Sequence, residues 1–201
     1  MFSKVNKFID KHAYLLSTVL IIGALLLDIT LYIGQTIHGG FSVVNLFFLF
    51  FEVLLHVSMI IGLLLKNNKL FNMLMVSIKA FDAVFFCYII GARLDSIYKG
   101  TSPSGMFDYV NLVSYALSAF CLLAILVFFV LNGVSGKHVY WKIMKILILV
   151  TIGAMFICSI FEIVNFFSND LTYWFTFLEP FYMVFLLSGV FIICHYVEKN
   201  K

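Results

Sequence analysis

Ionisable side chains inside apolar runs are the residues of this sequence that could do chemistry. Each lies well inside a stretch that is otherwise hydrophobic; they are Asp28, Glu52, His56, Lys79, Asp82, Glu162 and Glu179. An Asp or Lys at the centre of a membrane helix costs about 2.5–3.5 kcal/mol on insertion scales. A chain tolerates several such groups when they pair, carry protons or line a wet cavity. We therefore expect any function to lie where these side chains meet.

The signs of these charges point to a site for a cation or a proton. The five carboxyl groups stand against one central lysine, Lys79, and one arginine at the edge of an apolar run, Arg93. Because internal pairing cannot neutralise this acidic excess, the site must contain protonated carboxyls, water or a bound cation. His56, four residues after Glu52, is a candidate proton acceptor, and Lys79 is a tethered counter-charge for Asp82.

Long apolar stretches must position these residues. The chain has 201 residues, of which 63% are hydrophobic and only 11% charged, far from the composition of a soluble domain. The stretches cover about 13–35, 41–65, 70–94, 109–132, 142–166 and 172–197. Each exceeds the roughly 20 residues that a hydrocarbon core of about 30 Å requires, and none alternates with the period of a strand. The sequence predicts a single all-α domain over 1–201, a bundle of six transmembrane helices in the lipid bilayer.

The placement of lysines predicts the orientation of the bundle. Lysines flank the chain termini and the second and fourth loops, at positions 4, 7, 11, 66, 69, 137, 142, 199 and 201, whereas the first loop has no Lys or Arg. By the positive-inside rule both termini are cytoplasmic. The net charge of +3 lies almost wholly in these short segments, so no nucleic acid is expected as a partner. Phe- and Lys-rich usage without a glycosylation sequon is compatible with a protein of a bacterial plasma membrane.

The ionisable residues are expected at different depths in the membrane. Polar residues follow one face of each span, so the polar faces can all turn inward. At a rise of about 1.5 Å per residue, Asp28, Glu162 and Glu179 fall in the outer third, Glu52 and Asp82 near the middle, and His56 and Lys79 slightly cytoplasmic of it. The inner halves of the spans are much more apolar. We expect an acidic vestibule that faces outward above an apolar inner plug.

Smaller features give expectations about local structure. Pro180 directly follows Glu179 inside the sixth span and predicts a bend there. Small residues that would allow close helix contacts are Gly23, Gly62, Gly91 and Gly189, although no GxxxG spacing stands out. The cysteines lack CxxC spacing and are expected to be buried small hydrophobes; they are Cys87, Cys121, Cys158 and Cys194.

The leading hypothesis is an integral membrane protein that binds a small cationic or protonatable solute in the outward-facing acidic vestibule and takes part in its transport. In architecture, the outline of about six helices with an outward-facing ligand site resembles the substrate-binding S components of energy-coupling-factor vitamin transporters. That resemblance implies a substrate-binding subunit of a larger transporter, with another membrane protein as partner. The first helix lacks the Ala-x-x-x-Ala signature with which such proteins dock that partner.

Two hypotheses from other classes stay open. In the first, the chain is a non-transporting accessory or immunity protein, and its buried charges pair internally or with the helix of a partner protein. In the second, it is an intramembrane metalloenzyme built on Glu52 and His56 with Asp82, Glu162 and Glu179. The spacing of these residues matches neither an HExxH motif nor a di-iron ExxH pair. No cofactor is therefore predicted, and whether a metal binds stays open.

Overall fold

The computed structural model describes residues 2–67, 80, 82–84, 87, 90–91, 94–95, 98–99, 106–135, 138–168 and 177–199. Within these ranges the chain is almost wholly helical and contains no strand. The helices are α1 (Phe2–Gly39), α2 (Val43–Leu64), α3 (Met106–Ser135), α4 (His138–Ser168) and α5 (Leu178–Lys199). Each of them is long and apolar enough to cross a membrane. The prediction of an all-α, multi-pass membrane protein is therefore confirmed at this level.

The third predicted span, 70–94, falls between α2 and α3. Every described residue from Ala80 to Tyr98 is helical. The amide of Lys99 donates a hydrogen bond of 2.9 Å to the carbonyl oxygen of Asp95, as in the last turn of a helix. Asp82 belongs to this helical part, whereas Lys79 and Arg93 lie outside the described residues.

The N-terminal end of α5 differs from the sequence prediction. The sixth span was expected to begin at 172, but Phe177 lies in a turn and α5 begins at Leu178; residues 171–176 are outside the described residues. Pro180 is therefore the third residue of the helix. The first amides of a helix have no intrahelical acceptor, so a proline fits there without breaking a hydrogen bond. The bend predicted at Pro180 is replaced by the first turn of a helix.

Helix α5 is the centre of the described bundle. It packs against both α1 and α4, while α2 packs against α1 and α3 packs against α4. The hydroxyl of Ser17 on α1 donates a hydrogen bond to the carbonyl oxygen of Gly189 on α5. A Cβ atom at Gly189 would lie 3.2 Å from the carbonyl oxygen of Ser17 and 3.1 Å from Cγ1 of Ile21. The absence of a side chain therefore permits the close approach of α1 and α5.

Two further glycines test the expectation of close contacts. At Gly23 a Cβ would lie only 2.8 Å from Cδ1 of Phe185, so this glycine makes room for an aromatic ring of α5. At Gly91 a Cβ would meet nothing within 4 Å. The predicted close contacts are confirmed at Gly23 and Gly189 and not at Gly91.

Apolar side chains fill the interior and also cover the outside of the bundle. Fully buried ones come from every labelled helix and include Ile21, Met59, Leu122, Ile148 and Leu187. Large exposed ones include Leu26, Phe50, Phe120 and Phe167, as expected of a surface that contacts lipid tails. Of the cysteines, Cys121, Cys158 and Cys194 are buried as predicted, but Cys87 is exposed.

An ion pair joins α4 to α5 near the end of the bundle that carries the chain termini. It connects Nζ of Lys145 with Oε2 of Glu198, and the two side chains are only 19% and 16% exposed. Partial burial strengthens such a pair, because fewer water molecules compete for either charge. The sequence did not suggest this contact, since the two residues lie 53 positions apart.

Candidate acidic site

The packing of α2 on α1 brings two carboxyl groups together. The side chains of Asp28 on α1 and Glu52 on α2 lie within hydrogen-bonding reach of each other. Asp28 is 7% exposed, and Glu52 is half-buried. Two carboxyl groups form a hydrogen bond only through a proton that one of them carries. A cation between them would satisfy the same pair of oxygens, so the contact is suited to either occupant.

Two more carboxyl groups lie close enough to act on this pair. Asp82, from the helical part between α2 and α3, acts electrostatically on both Asp28 and Glu52. Glu179, in the first turn of α5, acts on Glu52. A helix N-terminus carries a partial positive charge that favours a carboxylate there. Acidic residues from four parts of the chain thus converge on one region of the bundle.

His56 lies one turn after Glu52 on α2 and is fully buried. Its Nδ1 atom is 2.7 Å from the backbone carbonyl oxygen of Glu52. Since a carbonyl oxygen can only accept, Nδ1 carries the hydrogen of this bond, and proton exchange falls to Nε2. The sequence suggested His56 as a candidate proton acceptor one turn after Glu52, and the structure shows that its Nδ1 contacts the main chain of Glu52.

Tyr182 on α5 completes the group. Its ring centroid lies 5.7 Å from that of His56, and its side chain is 6% exposed. All four carboxyl groups, those of Asp28, Glu52, Asp82 and Glu179, act on it electrostatically. Its hydroxyl has no hydrogen-bond partner among the residues that the structure describes. We refer to Asp28, Glu52, His56, Asp82, Glu179 and Tyr182 as the acidic cluster.

The sequence had not named Tyr182 as a site residue. Its spacing of three residues from Glu179 places both on one face of α5, and this was the available signal. A buried hydroxyl without a partner costs about 1–3 kcal/mol, so it calls for a physical explanation. A ligand or a water molecule between the carboxyl groups would supply the missing hydrogen bond.

The structure brings together five of the seven predicted site residues. Glu162 is buried on α4 at 4% exposure, yet it is not among the charges that act on Asp28, Glu52 or Tyr182. Lys79 lies outside the described residues. The predicted residues that meet are Asp28, Glu52, His56, Asp82 and Glu179.

The side chains of the acidic cluster differ in their exposure. Asp28, His56, Asp82 and Tyr182 are buried, whereas Glu52 and Glu179 are half-buried and form its accessible edge. The described side chains thus form a cluster that is more closed than the vestibule expected from the sequence.

Apolar side chains close the cluster towards the end of the bundle that carries the chain termini. One turn from Asp28, His56 and Tyr182 in that direction lie Ala24, Met59 and Leu186, each at 0% exposure. This layer has the character of the apolar plug that the sequence suggested.

Metal binding has no geometric support in the described ranges. Nowhere in them do three or more His, Cys, Asp or Glu side chains form a group that could hold a metal ion. The metalloenzyme hypothesis thus has no ligand set among those residues, although four acids and a histidine lie near one another.

Comparison with known proteins gives no family model, no curated protein and no solved structure that matches this chain. The class is defined by the fold itself, which is that of an all-α, multi-pass membrane protein.

Proposed function

We propose that this protein binds a small cationic or protonatable solute at the acidic cluster and takes part in its transport across the plasma membrane. The observation that carries the proposal is the contact between the carboxyl groups of Asp28 and Glu52, inside a membrane bundle and under the field of Asp82 and Glu179. Binding of a positive charge lowers the electrostatic energy of such a group of carboxyl groups.

The energetics favour occupation by a cation or a proton. Two unit charges of the same sign 4 Å apart repel by about 4 kcal/mol at an effective dielectric constant of about 20. The field of further carboxylates adds to this repulsion. A proton shared between Asp28 and Glu52 relieves it, and so does an ammonium group, whose N–H donors can reach several carboxyl oxygens at once.

The neutral members of the cluster suit an amine solute. The unpartnered hydroxyl of Tyr182 can accept a hydrogen bond from an ammonium group or donate one to a polar substituent. With Nδ1 of His56 bonded to the main chain, Nε2 is the atom through which this residue exchanges a proton. Binding of a protonated solute would displace the proton held by the Asp28–Glu52 pair, which couples solute binding to proton release.

The direction of access follows from the lysine distribution. With both termini in the cytoplasm, the half-buried edge formed by Glu52 and Glu179 faces outward, and the apolar layer of Ala24, Met59 and Leu186 separates the cluster from the cytoplasm. Such a site can belong to a complete transporter or to the solute-binding subunit of a larger one with a second membrane protein.

Thermal unfolding of the purified full-length protein in detergent tests the proposal. The probes are small primary, tertiary and quaternary alkylamines and the chlorides of Li⁺, Na⁺ and K⁺. A ligand at about 100 times its Kd stabilises the folded state by about 2.7 kcal/mol. We expect at least one probe to raise the Tm of the wild type and not that of the Asp28→Asn/Glu52→Gln variant. Glu198→Gln, which removes an acid far from the cluster, is the matched control and should keep the response. Equal responses in wild type and double variant would contradict the proposal.

A further inference from the structure

A second polar region lies at the opposite end of the bundle from the acidic cluster. It is a cavity of about 360 Å³ where α1, the end of α2 and α5 meet. The residues that line it are Lys11, His12, Tyr14, Leu15, Lys66 and Tyr196. Along α1, Lys11 stands about 25 Å from Asp28 at a rise of about 1.5 Å per residue. This basic cavity is therefore independent of the proposed solute site.

The backbone holds Lys66 at the rim of the cavity by a well-defined helix end. The amide of Lys66 donates to the carbonyl oxygen of Leu63 at 3.0 Å, and that of Asn67 to Gly62 at 2.8 Å. These two bonds form a Schellman motif, in which the residue after the cap takes the left-handed conformation. Lys66 takes it with φ of 52°. Glycine usually fills such a position, because a side chain is sterically disfavoured at positive φ. A lysine there places a positive charge beside the cavity.

A local break in α1 accompanies the other basic residues. His12 has non-helical backbone angles, φ −116° and ψ 17°, between two helical segments. The break changes the direction of the chain next to Lys11, at the start of the membrane-spanning part of α1. The rings of Tyr14 and Tyr196, which also line the cavity, meet edge to face, with centroids 5.3 Å apart. Tyrosines of this kind are typical of the interface between hydrocarbon and headgroups.

The cavity carries positive charge. Lys11 and Lys66 make no ion pair with any residue that the structure describes, whereas Lys99 pairs with Asp95 at 2.7 Å and Lys145 pairs with Glu198. Among the described residues that line the cavity there is no carboxylate. The two lysines are exposed, and together they give the cavity a positive potential that attracts anions.

We propose that the basic cavity binds an anionic phosphate group, with Lys11 and Lys66 as its charge partners and His12 as a hydrogen-bond donor. Lysine binds phosphate as a compact point charge. Basic pockets between transmembrane helices on the cytoplasmic side bind the headgroups of anionic lipids, where each nearby Lys contributes about 1 kcal/mol. The phosphate belongs either to such a headgroup or to a soluble anion of the cytoplasm, since both offer the same oxygens.

Binding to the full-length protein in detergent distinguishes the two sources. The probes are short-chain phosphatidylglycerol, short-chain phosphatidylcholine and inorganic phosphate, each titrated while the Tm or the mass of the complex is followed. The test variant is Lys11→Gln/Lys66→Gln. Lys142→Gln, an exposed lysine of α4, is the matched control. The Lys11→Arg/Lys66→Arg variant keeps both charges and separates lost binding from lost folding.

We expect saturable binding of phosphatidylglycerol or inorganic phosphate that weakens about tenfold or more in the Gln double variant. The control and the Arg variant should bind as the wild type does. Binding of phosphatidylglycerol alone assigns the site to a lipid headgroup, and comparable binding of inorganic phosphate assigns it to a soluble anion. Equal binding of phosphatidylcholine, or equal affinities in wild type and Gln variant, would overturn the proposal.

Discussion

The carboxyl groups of Asp28 on α1 and Glu52 on α2 lie within hydrogen-bonding reach of each other inside the membrane-spanning bundle. Neither residue is near the other in sequence, so the packing of two helices creates the contact. A shared proton or a cation relieves the repulsion between the two carboxyl groups. Substitutions at and around this contact separate its contribution to the fold from its contribution to binding.

Neutralising one member of the pair should leave the fold intact and weaken cation binding. In Glu52→Gln the amide N–H can donate to the carboxylate of Asp28, so the interhelical hydrogen bond persists. We expect the free energy of unfolding in mixed micelles to change by less than about 1 kcal/mol. The affinity for the cation found by thermal screening should fall about tenfold or more, because one negative charge is lost. A large loss of folded protein with unchanged affinity would assign the pair to the fold instead.

Removing the hydroxyl of Tyr182 should not destabilise the protein. This hydroxyl is buried without a partner in the described part of the chain, so Tyr182→Phe removes a group that costs about 1–3 kcal/mol when unsatisfied. We expect the free energy of unfolding without ligand to stay constant or rise, while the affinity for the solute falls.

The comparison for Tyr182→Phe is Ser17→Ala. It removes a buried hydroxyl that is bonded to Gly189 across the interface of α1 and α5. It should lower the free energy of unfolding by about 0.6–2 kcal/mol. If Tyr182→Phe destabilises as much as Ser17→Ala, the hydroxyl of Tyr182 has a structural partner and the binding role loses its support.

Adding one methyl group at Gly189 should force α1 and α5 apart. The new Cβ would lie 3.2 Å from a backbone oxygen of α1, which cannot move away as a flexible side chain would. We expect Gly189→Ala to lower the free energy of unfolding by about 1–3 kcal/mol. Gly153→Ala is the control, because a Cβ there meets nothing within 4 Å. It should be neutral or stabilising by up to about 1 kcal/mol, since alanine favours a helix. Equal effects at both positions would contradict the close approach.

The ion pair between Lys145 and Glu198 should contribute to stability, unlike an exposed pair. A double-mutant cycle with Lys145→Gln and Glu198→Gln should give a coupling energy of about 1–3 kcal/mol, because both side chains are largely buried. The same cycle on Lys99 and Asp95, which are 62% and 56% exposed, should give about 0.3–0.5 kcal/mol. Equal coupling energies for the two pairs would show that burial adds nothing.

The fold class was predictable because length and hydropathy alone decide it. Any apolar run of roughly 20 residues must satisfy its backbone inside lipid, and a helix does so locally. The residue at which α5 begins was not predictable in this way. Nothing in hydropathy separates 172–177 from the helix that follows, and Pro180 is compatible both with a bend and with a first turn.

The residues of the candidate site were easier to predict from the sequence than the contacts between them. A buried charge is costly at any helix position, which singled out Asp28, Glu52 and Asp82 without knowledge of packing. Which polar helix faces meet each other depends on the rotation of each helix about its axis. This is why the pair of Lys145 with Glu198 was missed.

Native mass spectrometry of the wild-type protein, gently extracted from the membrane, reports directly whether the acidic cluster holds a ligand. We expect a small cation or amine retained at one copy per chain, lost in Asp28→Asn/Glu52→Gln and kept in Glu198→Gln. A bare chain in all three samples, or a chain held stoichiometrically by another membrane protein without any small molecule, would contradict this expectation. The buried acids would then belong to contacts within the fold or with that partner.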